Sequence, residues 1–203
     1  MTEQGIPVSA PRWRLFWAIP LPGELHDAIA AIQMELARKM PVDAVRWIPP
    51  VNVHLTLAFL GNWPQQSVAQ MAASVEEAVK ELEAFHLHLS TLGAFPNTRQ
   101  PRVIWLGVEG ELNTLRTLQK AVAQAMTHLG WRPENRPFTP HLTIGRVRKG
   151  LSRRTLSEIG HIVERTKVEP FGQYSVREVI LFKSDLRPSG AVYTPVSRVT
   201  LSQ

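Results

Sequence analysis

The chain writes one short strand twice. Residues 52–61 read NVHLTLAFLG and residues 140–149 read PHLTIGRVRK. The shared element is His-Leu-Thr, at His54 and again at His141. An apolar residue follows in each copy (Leu57, Ile144), and a proline stands four residues upstream (Pro50, Pro137). In a strand, side chains alternate between faces. His54 and Thr56 therefore share one face, with Leu55 and Leu57 on the other. His141 and Thr143 repeat the arrangement over Leu142 and Ile144. An ordinary core has no use for two such polar pairs. Two copies this far apart fit a duplicated lobe and not a solenoid, which stacks many short repeats.

The rest of the chain fits around those two strands. Residues 13–20 read as a buried strand, and 22–40 as a helix from apolar Leu25, Ile29, Ile32 and Leu36. A strand broken by Pro49-Pro50 leads into the first His-Leu-Thr copy and ends at Gly61. A strong amphipathic helix is predicted over 65–85, then strands over 85–95 and 101–110. A second strong helix spans 111–130, stopped by Gly130. The second His-Leu-Thr strand covers 138–147 and a short helix 152–166. Residues 174–186 and 191–202 read as a closing strand pair with a Pro-Ser-Gly turn. Residues 1–11 look like a loose tail. This order predicts an α+β fold in one domain over 1–203, with helices on the outer faces of antiparallel sheets.

Composition narrows the chemistry. The 203 residues are 44% hydrophobic, enough for a packed core. No cysteine is present, which removes disulfides, thiolate nucleophiles and cysteine-based zinc sites. No GxxxxGK[ST] or GxGxxG loop occurs, which disfavours nucleotide-cofactor classes. His86 and His88 share a strand face, yet the sequence places no carboxylate or third histidine beside them, so no metal site is expected. No apolar run approaches the roughly 18 residues of a membrane helix, and the first twenty residues lack the apolar stretch of a signal peptide. A cytoplasmic protein is expected. The net charge is +6, which by itself leaves simple solubility and a polyanionic partner equally open. Arg146, Arg148, Lys149, Arg153 and Arg154 crowd directly behind the second His-Leu-Thr, which favours a role in holding nucleic acid backbone.

Two imidazoles across a cleft suit concerted proton transfer. With an unperturbed pKa near 6.5, one can be neutral and the other protonated near neutral pH. One takes a proton from a nucleophile and the other gives one to a leaving oxygen. The two threonine hydroxyls can donate to non-bridging phosphoryl oxygens. That set serves phosphodiester cleavage without a metal. The residues alone leave acid and base interchangeable. Phe59 and Arg146 each stand five positions after a histidine. There an aromatic can stack on a base and an arginine can pair with phosphate. Strict alternation puts both on the wrong face, unless the strands end or bulge.

The paired His-x-Thr motifs resemble those of the 2H phosphoesterase superfamily. The segments RLFWAIPLP (14–22), NVHLTLAFLG (52–61), RVIWLG (102–107), NRPFTPHLTIGR (135–146) and YTPVSRVTL (193–201) are similar to the RNA 2′,3′-cyclic phosphodiesterases, also called 2′-5′ RNA ligases. The resemblance implies a bilobal duplicated fold with two antiparallel sheets in pseudo-two-fold arrangement and an active-site groove between the lobes. It implies metal-independent, cofactor-free hydrolysis of RNA 2′,3′-cyclic phosphate ends to 2′-phosphates, with reversible 2′-5′ ligation of tRNA halves, by a monomer. It assigns His54 as proton donor and His141 as proton acceptor. A sister activity on another cyclic or 2′-5′ phosphodiester, or a module that only binds RNA ends, remains the alternative.

Overall fold

The computed structural model describes residues 11–133, 137–188 and 190–202. The expected tail lies almost wholly outside them. Nine strands run through the described residues: β1 (Arg12–Ile19), β2 (Val45–Trp47), β3 (Leu55–Pro64), β4 (Phe85–Phe95), β5 (Val103–Gly110), β6 (His141–Val147), β7 (Phe171–Val176), β8 (Glu178–Arg187) and β9 (Gly190–Thr200). Four helices accompany them: α1 (Gly23–Lys39), α2 (Val68–Val79), α3 (Leu112–His128) and α4 (Arg153–Arg165). The fold is α+β, as expected.

The two expected sheets are halves of one. The strand order is β7-β4-β5-β6-β3-β1-β8-β9, with β2 against β6. Named strands pair antiparallel throughout. The halves meet at a single pair, Leu55 against Leu142. About that join the order reads the same in both directions. Each His-Leu-Thr strand is innermost, and the strand leading into a long helix (β1 or β5) is its neighbour.

The helices also exchange sides. α1 follows β1 but packs on β7 of the other half, while α3 follows β5 and packs on β3. The apolar stripe of α3 (Leu115, Leu118, Val122, Met126) is fully buried. Beneath it, the indole N–H of Trp17 on β1 donates to the Met126 sulfur at 3.4 Å. Fully burying such side chains contributes roughly 1.5–3 kcal/mol each. α2 rests on β9 and α4 on β4.

Three expected boundaries moved. Residues 65–67 form a 3-10 turn and α2 ends at Val79, well short of residue 85. β3 continues past Gly61 to Pro64. The expected strand 174–186 is two strands that break at Arg177. β7 joins one half of the sheet through β4, and β8 joins the other through β1. The apolar phase slips there, from Tyr174 and Val176 to Val179 across the charged pair Arg177-Glu178, but a slip of this kind marks a change of face and does not say which strands each part joins.

Candidate active site

The register of the central pair decides whether the two motifs meet. Leu55 and Leu142 face each other with no exposure, pointing into the core. Their flanking residues must then point the other way. Antiparallel pairing sets His54 opposite Thr143 and Thr56 opposite His141. All four polar side chains share one face, and the two histidines lie on a diagonal of about 7–8 Å between Cα atoms.

Both rings are anchored alike. The Nδ1–H of His54 donates to the carbonyl of Asn52 at 2.7 Å. The Nδ1–H of His141 donates to the carbonyl of Thr139 at 2.7 Å. A carbonyl only accepts, so each Nδ1 carries the proton and each Nε2 is left to exchange one.

Their surroundings differ. Phe16 stacks on His54 with ring centres 4.7 Å apart. Tyr193 meets the His54 ring edge-on at 5.1 Å, and Phe182 lies at 6.2 Å. Burial in this cage lowers the His54 pKa from 6.5, against the opposing pull of the Asn52 carbonyl. His141 has one aromatic neighbour, Phe95, edge-on at 4.9 Å. Trp105, on the strand beside Thr143, lays its ring over Gly93 of β4. A Cβ at Gly93 would overlap that ring, so glycine is required for the approach.

Phe59 and Arg146 reach the same face as the histidines, because both strands bulge at the equivalent place. Along β1, Ala18 pairs with Thr56 and Phe16 with Phe59, which leaves an extra residue at Leu57. Along β5, Trp105 pairs with Thr143 and Val103 with Arg146, which leaves an extra residue at Ile144. One inserted residue reverses the alternation beyond it. Each bulge carbonyl accepts from a helix glutamine. Gln33 of α1 donates to Ile144 O at 2.9 Å and to Ile48 O at 2.7 Å. Gln119 of α3 donates to Leu57 O at 3.3 Å. Phe59 is 41% exposed, and the guanidinium of Arg14 lies 4.7 Å over its ring.

Sequence reading missed Gln33, Gln119, Arg14, Tyr193 and Phe182. The two glutamines carried a signal, each a polar residue at stripe spacing on its helix, Gln33 between Ile29 and Leu36 and Gln119 between Leu115 and Val122. The expectation that no carboxylate lies near His86 and His88 does not hold. Cross-strand pairing brings Glu111 to 3.7 Å from His86 and Glu109 to 3.5 Å from His88. Among the described residues, no three histidine, cysteine or acidic side chains gather around one point. No helix among them is long and apolar enough to cross a membrane.

Comparison with known proteins agrees with this geometry. Residues 21–187 match the model of the 2′-5′ RNA ligase superfamily. The chain is 36% identical to an RNA 2′,3′-cyclic phosphodiesterase of Methanothermobacter thermautotrophicus, over 89% of this chain and 95% of that one. It is 34% identical to the RNA 2′,3′-cyclic phosphodiesterase of Archaeoglobus fulgidus, over 89% and 96%. E. coli LigT complexed with 3′-AMP superposes with a TM-score of 0.74 at 28% identity, covering 95% of this chain and all of the other. Two His-x-Thr units on one sheet face, a match over most of the chain and this shared architecture have one consequence: the protein belongs to the 2′-5′ RNA ligase superfamily of 2H phosphoesterases.

Proposed function

We propose that the protein hydrolyses the 2′,3′-cyclic phosphodiester at RNA ends, leaving a 2′-phosphate. The observation that carries this reading is the Leu55–Leu142 register, which sets two Nδ1-anchored imidazoles and two hydroxyls on one face. The relatives named as RNA 2′,3′-cyclic phosphodiesterases support the substrate class.

His141 Nε2 takes the proton of a water that attacks phosphorus. His54 Nε2–H gives its proton to the departing O3′. Thr56 and Thr143 donate to the non-bridging oxygens, where transition-state charge collects. The aromatic cage makes the His54 imidazolium a stronger acid than a free one, which helps donation once it is charged. The anionic phosphodiester favours that charged form. With an RNA 5′-hydroxyl in place of water, the same in-line displacement makes a 2′-5′ linkage. tRNA halves with cyclic ends suit both reactions. One chain carries both motifs, so a monomer suffices for the reaction, and a cytoplasmic setting suits an RNA substrate.

The test is turnover of a nucleoside 2′,3′-cyclic phosphate in the presence of a chelator, with the product assigned as 2′- or 3′-phosphate. His54→Ala and His141→Ala should each lose at least about 10²-fold. Full activity in either variant sinks the reading.

A further inference from the structure

Past the bulge, the histidine face runs on to a pair of opposed arginines. β2 replaces β3 as the partner of β6, and Arg46 pairs directly with Arg146. The register puts both arginines on the histidine face, about 10 Å along the strand from Thr143. Like charges placed directly opposite on a sheet are destabilising. Both are exposed, and neither has a carboxylate within ion-pair distance among the described residues. A cavity of about 610 Å³ opens beside Arg146, lined also by Arg102, Arg148 and Lys149. Backbone bonds tie these segments together: Val147 N–H donates to Arg102 O at 3.0 Å, and Arg148 N–H to Ala44 O at 2.9 Å. Four cations from two chain segments line this cavity, and Arg46 stands opposite Arg146 on the neighbouring strand.

We propose that this end is a binding arm for the internucleotide phosphates of a single RNA strand, 5′ to the cyclic end that reacts between the histidines. The inference rests on the phosphodiesterase reading and adds a specificity to it. Arg46 and Arg146 clamp the first phosphate upstream of the terminal nucleoside. Their mutual repulsion is relieved only when that anion sits between them. Arg102, Arg148 and Lys149 receive the next phosphates along the strand. A mononucleotide fills only the catalytic centre, whereas an oligonucleotide engages the arm too. A bare polyanion interaction would give affinity without placement. Here the bulge at Ile144, bonded to Gln33, orients one member of the clamp toward the reacting phosphorus.

The experiment compares kcat/KM for a mononucleoside 2′,3′-cyclic phosphate with that for a trinucleotide ending in the same group, in wild type, Arg46→Ala and Arg46→Lys. Wild type should favour the trinucleotide, and the preference should fall about five-fold in Arg46→Ala. Arg46→Lys should restore part of it, because charge without the planar fork meets phosphate less well. The salt dependence of trinucleotide binding should lose about 0.7 of a log–log unit for the lost contact. Arg46 is exposed, so a loss of preference without a loss of thermal stability belongs to binding. A wild-type preference near one, or a preference untouched in Arg46→Ala, overturns the arm. Failure of wild type to turn over either substrate overturns the phosphodiesterase reading itself, a distinct result.

Discussion

Replacing Gln33 with methionine tests the reading of the bulge most directly. Gln33 is 6% exposed and gives both amide hydrogens to backbone carbonyls, Ile48 at 2.7 Å and Ile144 at 2.9 Å. Methionine matches its length and offers no donor. Ile144 O keeps a second partner, the N–H of Ile48 at 2.9 Å, so only Ile48 O loses a bond that nothing replaces. One lost neutral bond costs about 1 kcal/mol, and a newly orphaned buried carbonyl costs about 1–3 kcal/mol. Removing a buried amide offsets part of this. The net expectation is about 2 kcal/mol, or roughly 4–8 °C in Tm for a chain of this size. Gln119→Met loses a single 3.3 Å bond at a partly buried site and should cost less than about 1 kcal/mol. Denaturant unfolding measures both. Kinetics with the trinucleotide separates position from stability: Gln33→Met should lose activity in an Arg146 background and lose little in Arg146→Ala, because the glutamine acts through the arginine. Equal stability of wild type and Gln33→Met, or full additivity with Arg146→Ala, refutes the reasoning.

Four other outcomes follow from the geometry. Burial lowers the His54 pKa below 6.5, so the folded state binds fewer protons than the unfolded one in that window. Its stability contribution is complete above pH 6.5 and is lost as pH falls through the window toward the lowered value; unfolding free energy against pH should lose part of this slope in His54→Ala. For the same reason one limb of the kcat/KM pH profile should move upward in Phe16→Leu, which opens the cage; an unmoved profile would separate His54 from proton transfer. Phe59→Ala removes an exposed stacking surface and should raise KM about five-fold or more with Tm nearly unchanged, and Gly93→Ala, which drives a methyl into the Trp105 ring, should cost about 1–3 kcal/mol in unfolding free energy.

Much of the site was legible because its information is local. Alternation within five residues says that His54 shares a face with Thr56, and His141 with Thr143. Helical spacing at Leu25, Ile29, Ile32 and Leu36 says that residues 22–40 coil, and α1 spans Gly23–Lys39. The duplicated tripeptide says that two such strands exist. What those local rules cannot hold is pairing. Whether the two motifs look at one another depends on a register set at one residue pair, Leu55 and Leu142, brought together by the whole sheet. Phe59 and Arg146 stand on the wrong face by simple alternation. They reach the histidine face because Leu57 and Ile144 bulge out of register, where glutamines from two helices meet their carbonyls. The His54 cage gathers Phe16, Phe182 and Tyr193 from three strands far apart in the chain. The charged pair Arg177-Glu178 marks a break in the pattern, but not that β7 and β8 join opposite halves of the sheet. The sequence by itself determined which side chains can do chemistry and which neighbours along the chain share their face, because the strand period is a property of the backbone. Only the tertiary structure decided that they act together, because register, bulges and burial come from contacts between segments that the period does not encode.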